Sequence, residues 1–378
     1  MPNQLNFQRL KNNFEGDLFT DDVSKVLYAT DASAYREIPT AVAIPKTVKD
    51  IQLLVDFAQQ NNSSLIPRTA GTSLAGQVVG KGIVVDMSKY MTGILHFDKK
   101  EKQISVQPGV IRDVLNQYVK PHGLFFGPET STSNRCMMGG MTGNNACGTH
   151  ALIYGSTRDK LVSVKTVLSD GSTAEFKALN KTEFIQKTKQ ESLEGKLYQN
   201  IYNILSEKDN QNEIRKEFPR PEIKRRNTGY AIDLLLESEV FSKSNKPFNF
   251  AKLIAGSEGT LAFITEITLQ LDDLAPPKKA LIPIHLTSLE SAYHGNLIAL
   301  RHKPVAVELM DDIILKQSRK NKTANENAFF IKGTPKAILM VEFAEQSQQA
   351  ILQKAKELKK AMKDAGYGYH FPVLWAND

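Results

Sequence analysis

Disulfide-forming residues and long apolar runs are scarce in this chain. It has 2 cysteines among 378 residues, too few for a disulfide framework, and its first residues lack the pattern of a secretory leader. Together these features predict a protein of the reducing cytoplasm. No uninterrupted apolar run is long enough to cross a bilayer, so the sequence predicts no transmembrane segment. Internal repeats and low-complexity tracts are absent too, which argues against a repeat or fibrous architecture.

Two common nucleotide-binding signatures are also missing. Neither G-x-G-x-x-G nor G-x-x-x-x-G-K-[ST] occurs, which argues against a Rossmann-type or Walker-type site. The net charge is +7, a mild basic excess that suits an anionic substrate or cofactor or else contributes only to solubility. Nucleotide stacking requires aromatic side chains, and the basic cluster Lys224, Arg225 and Arg226 has none interleaved with it. We therefore expect a solvated loop there and no nucleic-acid partner.

The first informative stretch is rich in glycine and threonine and reads PRTAGTSLAGQVVGKG, residues 67–82. Glycine lets the backbone turn tightly and approach a ligand closely, and successive free N–H groups form an anion-binding nest. Short apolar segments on both sides predict strand, loop and strand, with no helix behind the loop. The stretch is therefore a candidate phosphate site, and a glycine-rich surface turn is the alternative.

Two further stretches have an unusual composition. Residues 127–159, GPETSTSNRCMMGGMTGNNACGTHALIYGSTRD, are small and nearly uncharged, which predicts a long ordered loop around a polar ligand. Residues 252–271, KLIAGSEGTLAFITEITLQL, read as a strand, a turn over 256–260 and a second strand, hence a hairpin.

The remaining pattern predicts an α+β chain of two domains. Thr47 and Asp50 resemble a helix N-cap, and 181–217 is helical and charged. After the linker DDLAPPKKA, the pattern is strand (280–286), helix, strand, strand, helix and strand (368–373), which is the ferredoxin-like order. We expect a lead-in over 1–36, a first domain over 37–273 and a second over 278–378.

The three stretches together, with RRNTGYAIDLLL, resemble the FAD-binding domain of the vanillyl-alcohol-oxidase or PCMH type, specifically its branch of D-lactate, glycolate-oxidase and D-2-hydroxyglutarate dehydrogenase subunits. The resemblance extends to the N-terminal part of the type fused to an iron–sulfur part. It implies two α/β subdomains followed by a ferredoxin-like substrate-capping domain. It also implies that the bends near 70 and 140 converge on one diphosphate.

The resemblance assigns cofactor contacts to residues in all three stretches. They are Pro67, Arg68, Thr69, Ala70, Gly71, Thr72, Ser73, Gly76, Gln77, Pro128, Glu129, Thr130, Ser131, Gly140, Asn144, Asn145, Cys147, Gly148, Thr149, Gly155, Glu258, Gly259 and Ile264. Because the first loop lacks the histidine of the covalent branches, we expect non-covalent FAD. No catalytic residue and no metal ligand is assigned.

The activity implied by the resemblance is oxidation of a D-2-hydroxy acid such as lactate, glycolate or 2-hydroxyglutarate. Electrons would pass to an iron–sulfur domain, a separate iron–sulfur subunit or quinone. The resemblance is also compatible with peripheral association of the protein with the inner face of the membrane. However, the family's histidine motif resembling HxGDGN and its iron–sulfur cysteine sets are absent, so we expect an incomplete capping domain and a fragment of a longer protein. The alternatives are a related flavin enzyme, such as a sugar-lactone oxidase or enolpyruvyl reductase, and a truncated or inactive flavin-binding module. The oligomeric state is left open.

Overall fold

A computed structural model describes residues 6–220, 222–223, 225–226 and 229–375. Within this range the chain divides into two compact units. The first comprises residues 6–148 and 155–273, and the second comprises 149–154 and 274–375. A segment of six residues inside the predicted first domain thus belongs to the second unit. Lys224 of the basic cluster, together with Asn227 and Thr228, lies outside the described residues.

The strands, in chain order, are β1 (Asp17–Phe19), β2 (Ala41–Ile44), β3 (Leu65–Arg68), β4 (Ile83–Asp86), β5 (Ile94–Asp98), β6 (Gln103–Val106), β7 (Leu124–Phe125), β8 (Leu161–Val167), β9 (Thr173–Phe176), β10 (Phe263–Gln270), β11 (Asp272–Asp273), β12 (Lys278–Leu286), β13 (Ala306–Asp311), β14 (Ala337–Glu345) and β15 (Leu374–Trp375).

The helices are α1 (Gln8–Asn13), α2 (Asp22–Leu27), α3 (Val48–Gln60), α4 (Arg112–Val119), α5 (Met138–Asn144), α6 (Ala151–Tyr154), α7 (Thr157–Lys160), α8 (Lys181–Lys187), α9 (Leu193–Ser206), α10 (Lys208–Glu217), α11 (Ile232–Leu236), α12 (Ala251–Ile254), α13 (Leu289–Arg301), α14 (Asp312–Ser318), α15 (Lys322–Glu326) and α16 (Gln348–Asp364). None of these described helices is long and apolar enough to cross a bilayer.

The first unit contains two main sheets. One has the order β1-β2-β4-β3, with β2 and β3 both parallel to β4, and the other is antiparallel with the order β5-β6-β10-β8-β9. The predicted helix at Thr47 is confirmed: Thr47 and Asp50 form a complete capping box at the start of α3. The fully buried carboxylate of Asp50 also accepts hydrogen bonds from the main-chain N–H groups of Glu15 and Lys46, both at 2.8 Å.

Tertiary packing overrides the local pattern in two of the informative stretches. The predicted long loop over 127–159 contains the short helices α5, α6 and α7, because Met138 and Met141 bury their side chains in the core and so support a glycine-rich turn of helix. The predicted hairpin over 252–271 is wrong. Its first half is helix α12, and β10 pairs instead with β6 and β8 on its two edges.

The second unit has one four-stranded antiparallel sheet with the order β13-β14-β12-β15. Helices α13 and α16 contact this sheet and each other, and their buried positions form its core. The element order agrees with the sequence pattern, although α14 and α15 lie between β13 and β14. The strand expected over 368–373 begins only at Leu374, after an isolated bridge between His285 and His370. The ferredoxin-like designation itself stays a prediction.

Candidate functional site

The three glycine-rich stretches meet in the first unit. The side-chain amide of Gln77 donates hydrogen bonds to Asn144 Oδ1 at 3.0 Å and to Glu258 Oε1 at 2.8 Å. A Cβ atom added to Gly140 would lie 2.7 Å from Thr69 Oγ1. Segments separated by about 70 and 180 positions of sequence are therefore within contact distance, and the bends near 70 and 140 are neighbours.

The first stretch follows β3 as a loop with free main-chain donors. Gly71 and Gly76 have φ angles of +62° and +75°, in the left-handed region that glycine adopts most readily. No described residue accepts a hydrogen bond from the main-chain N–H groups of residues 70–73. The loop is held from behind, since Gly71 O accepts from Ala32 N at 3.1 Å and the Arg68 guanidinium donates to Thr30 O at 2.8 Å. Its free main-chain N–H groups are therefore available to an anion.

The third stretch is attached to the end of α5. Gly256 N donates to Thr142 O at 3.0 Å, and Glu258 N donates to Gly143 O at 2.9 Å. The fully buried Asn145 ends α5 with a φ of +49°, and its Oδ1 accepts from the Arg158 N–H at 2.8 Å. The Asn145 side chain thus holds the turn together, a role distinct from the cofactor contact that the sequence suggested for it.

An acceptor pair stands at the meeting point of the stretches. Among the described residues, none donates a hydrogen bond to the buried Oε1 of Gln77. Glu258 has a φ of +55°, a conformation that a residue with a side chain seldom adopts and that often marks a ligand site. Main-chain donors at one end, and the unpaired Gln77 Oε1 beside the exposed Glu258 carboxylate at the other, suit a ligand with both anionic oxygens and hydroxyl groups.

The segment 128–131 packs beside the second stretch. Pro128 O accepts from Arg112 Nε at 2.7 Å, and the hydroxyl of Thr130 lies 3.3 Å from the sulfur of the buried Cys136. A Cβ atom on Gly148 would overlap Glu129, so these two segments touch. Arg112, which also pairs with Asp113 at 3.3 Å, is a positioning residue that sequence reasoning missed.

The other assigned residues differ in their surroundings. A Cβ atom on Gly259 would lie 3.0 Å from Pro67 Cγ, so these two are neighbours. Gly155, at a φ of +69°, faces the Asp159 carboxylate. Cys147 and Ile264 are half-buried, and Ile264 lies on β10. Thr149 is exposed and belongs to the second unit. The remaining assigned residues in the first unit are Ala70, Thr72, Ser73 and Ser131, of which only Ser131 is exposed.

Two cations hold the third stretch in place and were also missed from the sequence: the buried Arg158, and the half-buried Lys252 at the first residue of the stretch. The Arg158 guanidinium donates to Lys252 O and Gly229 O, each at 2.9 Å, and also to Ala255 O. Lys252 Nζ donates to Arg158 O at 2.7 Å and Leu161 O at 2.8 Å. Burial lowers the pKa of Lys252 to about 8 and that of Arg158 to about 10. These side chains fix the turn that carries Glu258.

A cavity of about 280 Å³ adjoins the third stretch. Its walls come from α3, residues 62–65 at the start of β3, residues 167–169 at the end of β8 and the segment 259–263, and they contain no charged side chain. The lining residues are Val55, Ala58, Gln59, Asn62, Ser63, Leu65, Val167, Leu168, Ser169, Gly259, Thr260, Leu261, Ala262 and Phe263. This lining suits a neutral group.

Comparison with known proteins agrees with this geometry. Residues 39–177 match the model of a FAD binding domain. D-2-hydroxyglutarate dehydrogenase of Haemophilus influenzae is 36% identical over 314 residues, 82% of this chain and 30% of the relative. The Escherichia coli protein of the same name is 33% identical over 363 residues, 94% of this chain and 35% of the relative. The chain thus spans about a third of the length of these curated relatives.

More distant proteins share the fold. D-lactate dehydrogenase [cytochrome] 1 of Saccharomyces cerevisiae is 25% identical over 302 residues, 78% of this chain and 40% of the relative. The solved structure of alkyldihydroxyacetonephosphate synthase aligns with a TM-score of 0.62 and 16% identity. The alignment covers 97% of this chain and 64% of the synthase. The expected PCMH-type fold is confirmed by this likeness.

Proposed function

We propose a function from one premise: the chain belongs to the FAD-linked oxidase family, as its FAD binding domain and its dehydrogenase relatives show. The proposal is that it oxidises a D-2-hydroxy acid with FAD. The observation that carries it is the Gln77–Asn144–Glu258 junction, which joins three distant stretches beside a group of free N–H donors and the unpaired Gln77 Oε1.

The residues on both sides of the junction fit a dinucleotide. The N–H groups of residues 70–73 would bind the diphosphate, assisted by the hydroxyl groups of Thr72 and Ser73. The oxygens of Gln77 and Glu258 would accept hydrogen bonds from sugar hydroxyls, which satisfies the buried Gln77 Oε1. The neutral cavity beside residues 259–263 would take the uncharged base. Since the first loop contains no histidine, we propose that this binding is non-covalent.

When bound, FAD supplies the hydride acceptor for oxidation of the hydroxyl-bearing carbon. The chain must orient the hydroxy acid, bind its carboxylate with a cation and take up the hydroxyl proton. Relatives of 33% and 36% identity bear the name D-2-hydroxyglutarate dehydrogenase, and the one of 25% identity is a D-lactate dehydrogenase. D-2-Hydroxyglutarate is therefore our first candidate substrate and D-lactate the second.

We also propose a division of labour along the chain. Residues 37–273 would bind FAD and 278–378 would cover the substrate, with an iron–sulfur domain or subunit, or quinone, taking the electrons. A cytoplasmic location with peripheral attachment to the inner face of the membrane would suit such an acceptor. These assignments rest on the family resemblance and on the two compact units.

The test begins with the purified chain reconstituted with FAD and freed of excess flavin. We expect a yellow protein whose flavin absorbance is bleached by D-2-hydroxyglutarate without oxygen, and more slowly by D-lactate. The L-isomers serve as matched controls. A yellow protein that no hydroxy acid bleaches would favour the flavin-binding module without catalysis. A protein that stays colourless and does not alter FAD fluorescence would contradict the proposed site.

A further inference from the structure

The chain ahead of β2 forms a closed loop beside the first glycine-rich stretch. Within residues 28–36, Thr30 and Arg36 pair in an isolated antiparallel bridge, and Glu37 N donates to Ala29 O at 3.0 Å. Ala29 is fully buried. We call residues 28–36 the strap. The strap is an ordered part of the first unit, and none of its residues belongs to the flavin site assigned above.

The strap contacts the first stretch at both of its left-handed glycines. Ala32 N donates to Gly71 O at 3.1 Å. A Cβ atom added to Gly76 would lie 2.6 Å from Cδ2 of Tyr35, so the Tyr35 ring packs directly on Gly76. Residues 71–76 are thereby held at both ends, and this segment begins among the free main-chain N–H groups of residues 70–73.

Arg68 lies between the strap and the loop that follows β3. Its Nη1 donates to Thr30 O at 2.8 Å, and its guanidinium lies 5.2 Å from the centre of the Tyr28 ring, in a cation–π contact. The same guanidinium touches the loop, because a Cβ atom on Gly71 would lie 2.9 Å from Arg68 Nη2. Among the described residues its partners are carbonyl oxygens and an aromatic ring, and none is a carboxylate. The positive charge of Arg68 is therefore not neutralised by a neighbour.

Tyr28 is fixed in turn by the end of β4. Its hydroxyl donates to Asp86 Oδ2 at 2.7 Å, and Asp86 is buried. The other carboxylate oxygen of Asp86 accepts from Ser88 N at 2.8 Å. Burial and the neighbouring carboxylate raise the pKa of Tyr28, so its hydroxyl keeps the proton and stays a donor. Contacts thus run from Asp86 through Tyr28 to Arg68 and the loop.

We propose that the strap belongs to the flavin site, with Tyr28 as a positioning residue that holds the Arg68 charge against the first stretch. The charge then favours the diphosphate of FAD, because an unpaired cation beside free N–H groups attracts an anion. Since Arg68 is half-buried, salt screens its charge less than that of an exposed cation. The inference rests on the proposed function and deepens it, because it adds residues that lie outside the three stretches.

The choice of ligand separates this role from a purely structural one. FAD and ADP both contain a diphosphate, whereas riboflavin contains the flavin ring without phosphate. If Tyr28 acts through the Arg68 charge, loss of its side chain should weaken the binding of FAD and ADP and leave that of riboflavin unchanged. A role in folding alone would weaken the binding of all three ligands, together with the stability of the unit.

The experiment is calorimetric titration of the full-length apoprotein with FAD, ADP and riboflavin. We expect Tyr28→Leu to weaken the binding of FAD and ADP about tenfold, the effect of one charge-assisted contact. Tyr90→Leu is the matched control. Tyr90 is also half-buried, donates to Asp17 Oδ2 at 2.9 Å and has the ammonium groups of Lys46 and Lys89 over its ring. Because none of these partners lies in the first stretch, Tyr90→Leu should leave all three affinities unchanged.

A double-variant cycle tests the route through Arg68. Arg68→Met removes the charge, so Tyr28→Leu added to it should cost no further FAD affinity. The affinity of the parent for FAD should also fall more steeply with salt than that of Arg68→Met. Tyr28→Phe keeps the ring and loses only the bond to Asp86, so it replaces Tyr28→Leu if circular dichroism shows the latter unfolded. It should give a smaller loss, again confined to FAD and ADP.

The outcomes separate this inference from the proposed function. If the parent binds FAD and Tyr28→Leu binds it equally well, the inference is overturned and the proposed function stands. An equal loss of affinity for riboflavin, or losses that add in the double variant, would likewise overturn the role of Tyr28 as a positioning residue for Arg68. A parent that binds neither FAD nor ADP contradicts the proposed function and this inference with it.

Discussion

The sharpest test of the flavin site compares two identical substitutions on one short helix. Gly140 and Gly143 both lie on α5, three residues apart. A Cβ on Gly140 would lie 2.7 Å from Thr69 Oγ1, whereas a Cβ on Gly143 has its nearest neighbour, Glu258 Cα, at 3.8 Å. Gly140→Ala must therefore displace the Thr69 hydroxyl group at the start of the first stretch, and Gly143→Ala needs no movement.

The magnitude follows from the bonds at risk. A hydrogen bond to a charged group contributes about 1.5–3 kcal/mol, and about 1.4 kcal/mol corresponds to a factor of ten. If displacement of Thr69 costs one N–H contact with the diphosphate, Gly140→Ala should weaken FAD binding about tenfold to a hundredfold. Gly143→Ala should bind FAD as the parent does, with a gain in stability of about 0.5–1 kcal/mol from the lower entropy of the unfolded chain.

The assay is titration of the apoprotein with FAD, followed by quenching of flavin fluorescence. The variant Thr69→Ala provides a second check, because removal of the hydroxyl group makes room for the new methyl group. The double variant Thr69→Ala with Gly140→Ala should lose less FAD binding free energy than the sum of the losses in the two single variants. Equal affinities for Gly140→Ala and Gly143→Ala would refute the reasoning.

Three further predictions concern the elements that support the site. Burial lowers the pKa of Lys252 to about 8 from the ordinary 10.5, so the unfolded state binds more protons between these values and the unfolding free energy should rise with pH from 8 to 10.5. Urea unfolding at pH 8 and 10 should show this rise, by up to about 3 kcal/mol, in the parent relative to Lys252→Met. An equal change of unfolding free energy with pH in both proteins would contradict it. Glu258→Gly should raise the first unit's stability by about 1 kcal/mol, because its φ of +55° suits glycine, while weakening FAD binding; tighter FAD binding would argue against a ligand contact at Glu258. Asp50→Ala should lower the unfolding free energy by about 2–4 kcal/mol, since buried N–H groups lose their acceptor, and a thermal midpoint like the parent's would contradict this.

Local chemistry made several parts of the structure predictable from the sequence. The Thr47 capping box, the strands on both sides of the first stretch and the helices within 181–217 depend on neighbours in the chain, and the structure confirms them. The three stretches of the site were also recognisable from composition, because glycine and hydroxyl residues at such density are unusual. The family and its fold followed from the resemblance of these stretches, in this order, to a known family.

Other features depend on contacts between distant residues. The apolar pattern of 252–271 is compatible with a hairpin, but β10 gains two strand partners by pairing with β6 and β8, and residues 251–254 are left to form a helix. Buried methionines likewise make helix α5 stable in spite of its three glycines. In both places burial of side chains outweighs local preference.

By itself, then, the sequence determined the secondary structure near capping and turn residues, the three stretches that meet at the candidate site, and the family. Only the tertiary structure decided that Gln77 joins Asn144 to Glu258, that Asn145 and Arg158 hold a turn, and that Lys252 is a half-buried cation with a lowered pKa. The physical reason is that hydrogen-bond partners and desolvation depend on distance in space, which a linear pattern of residue types does not encode.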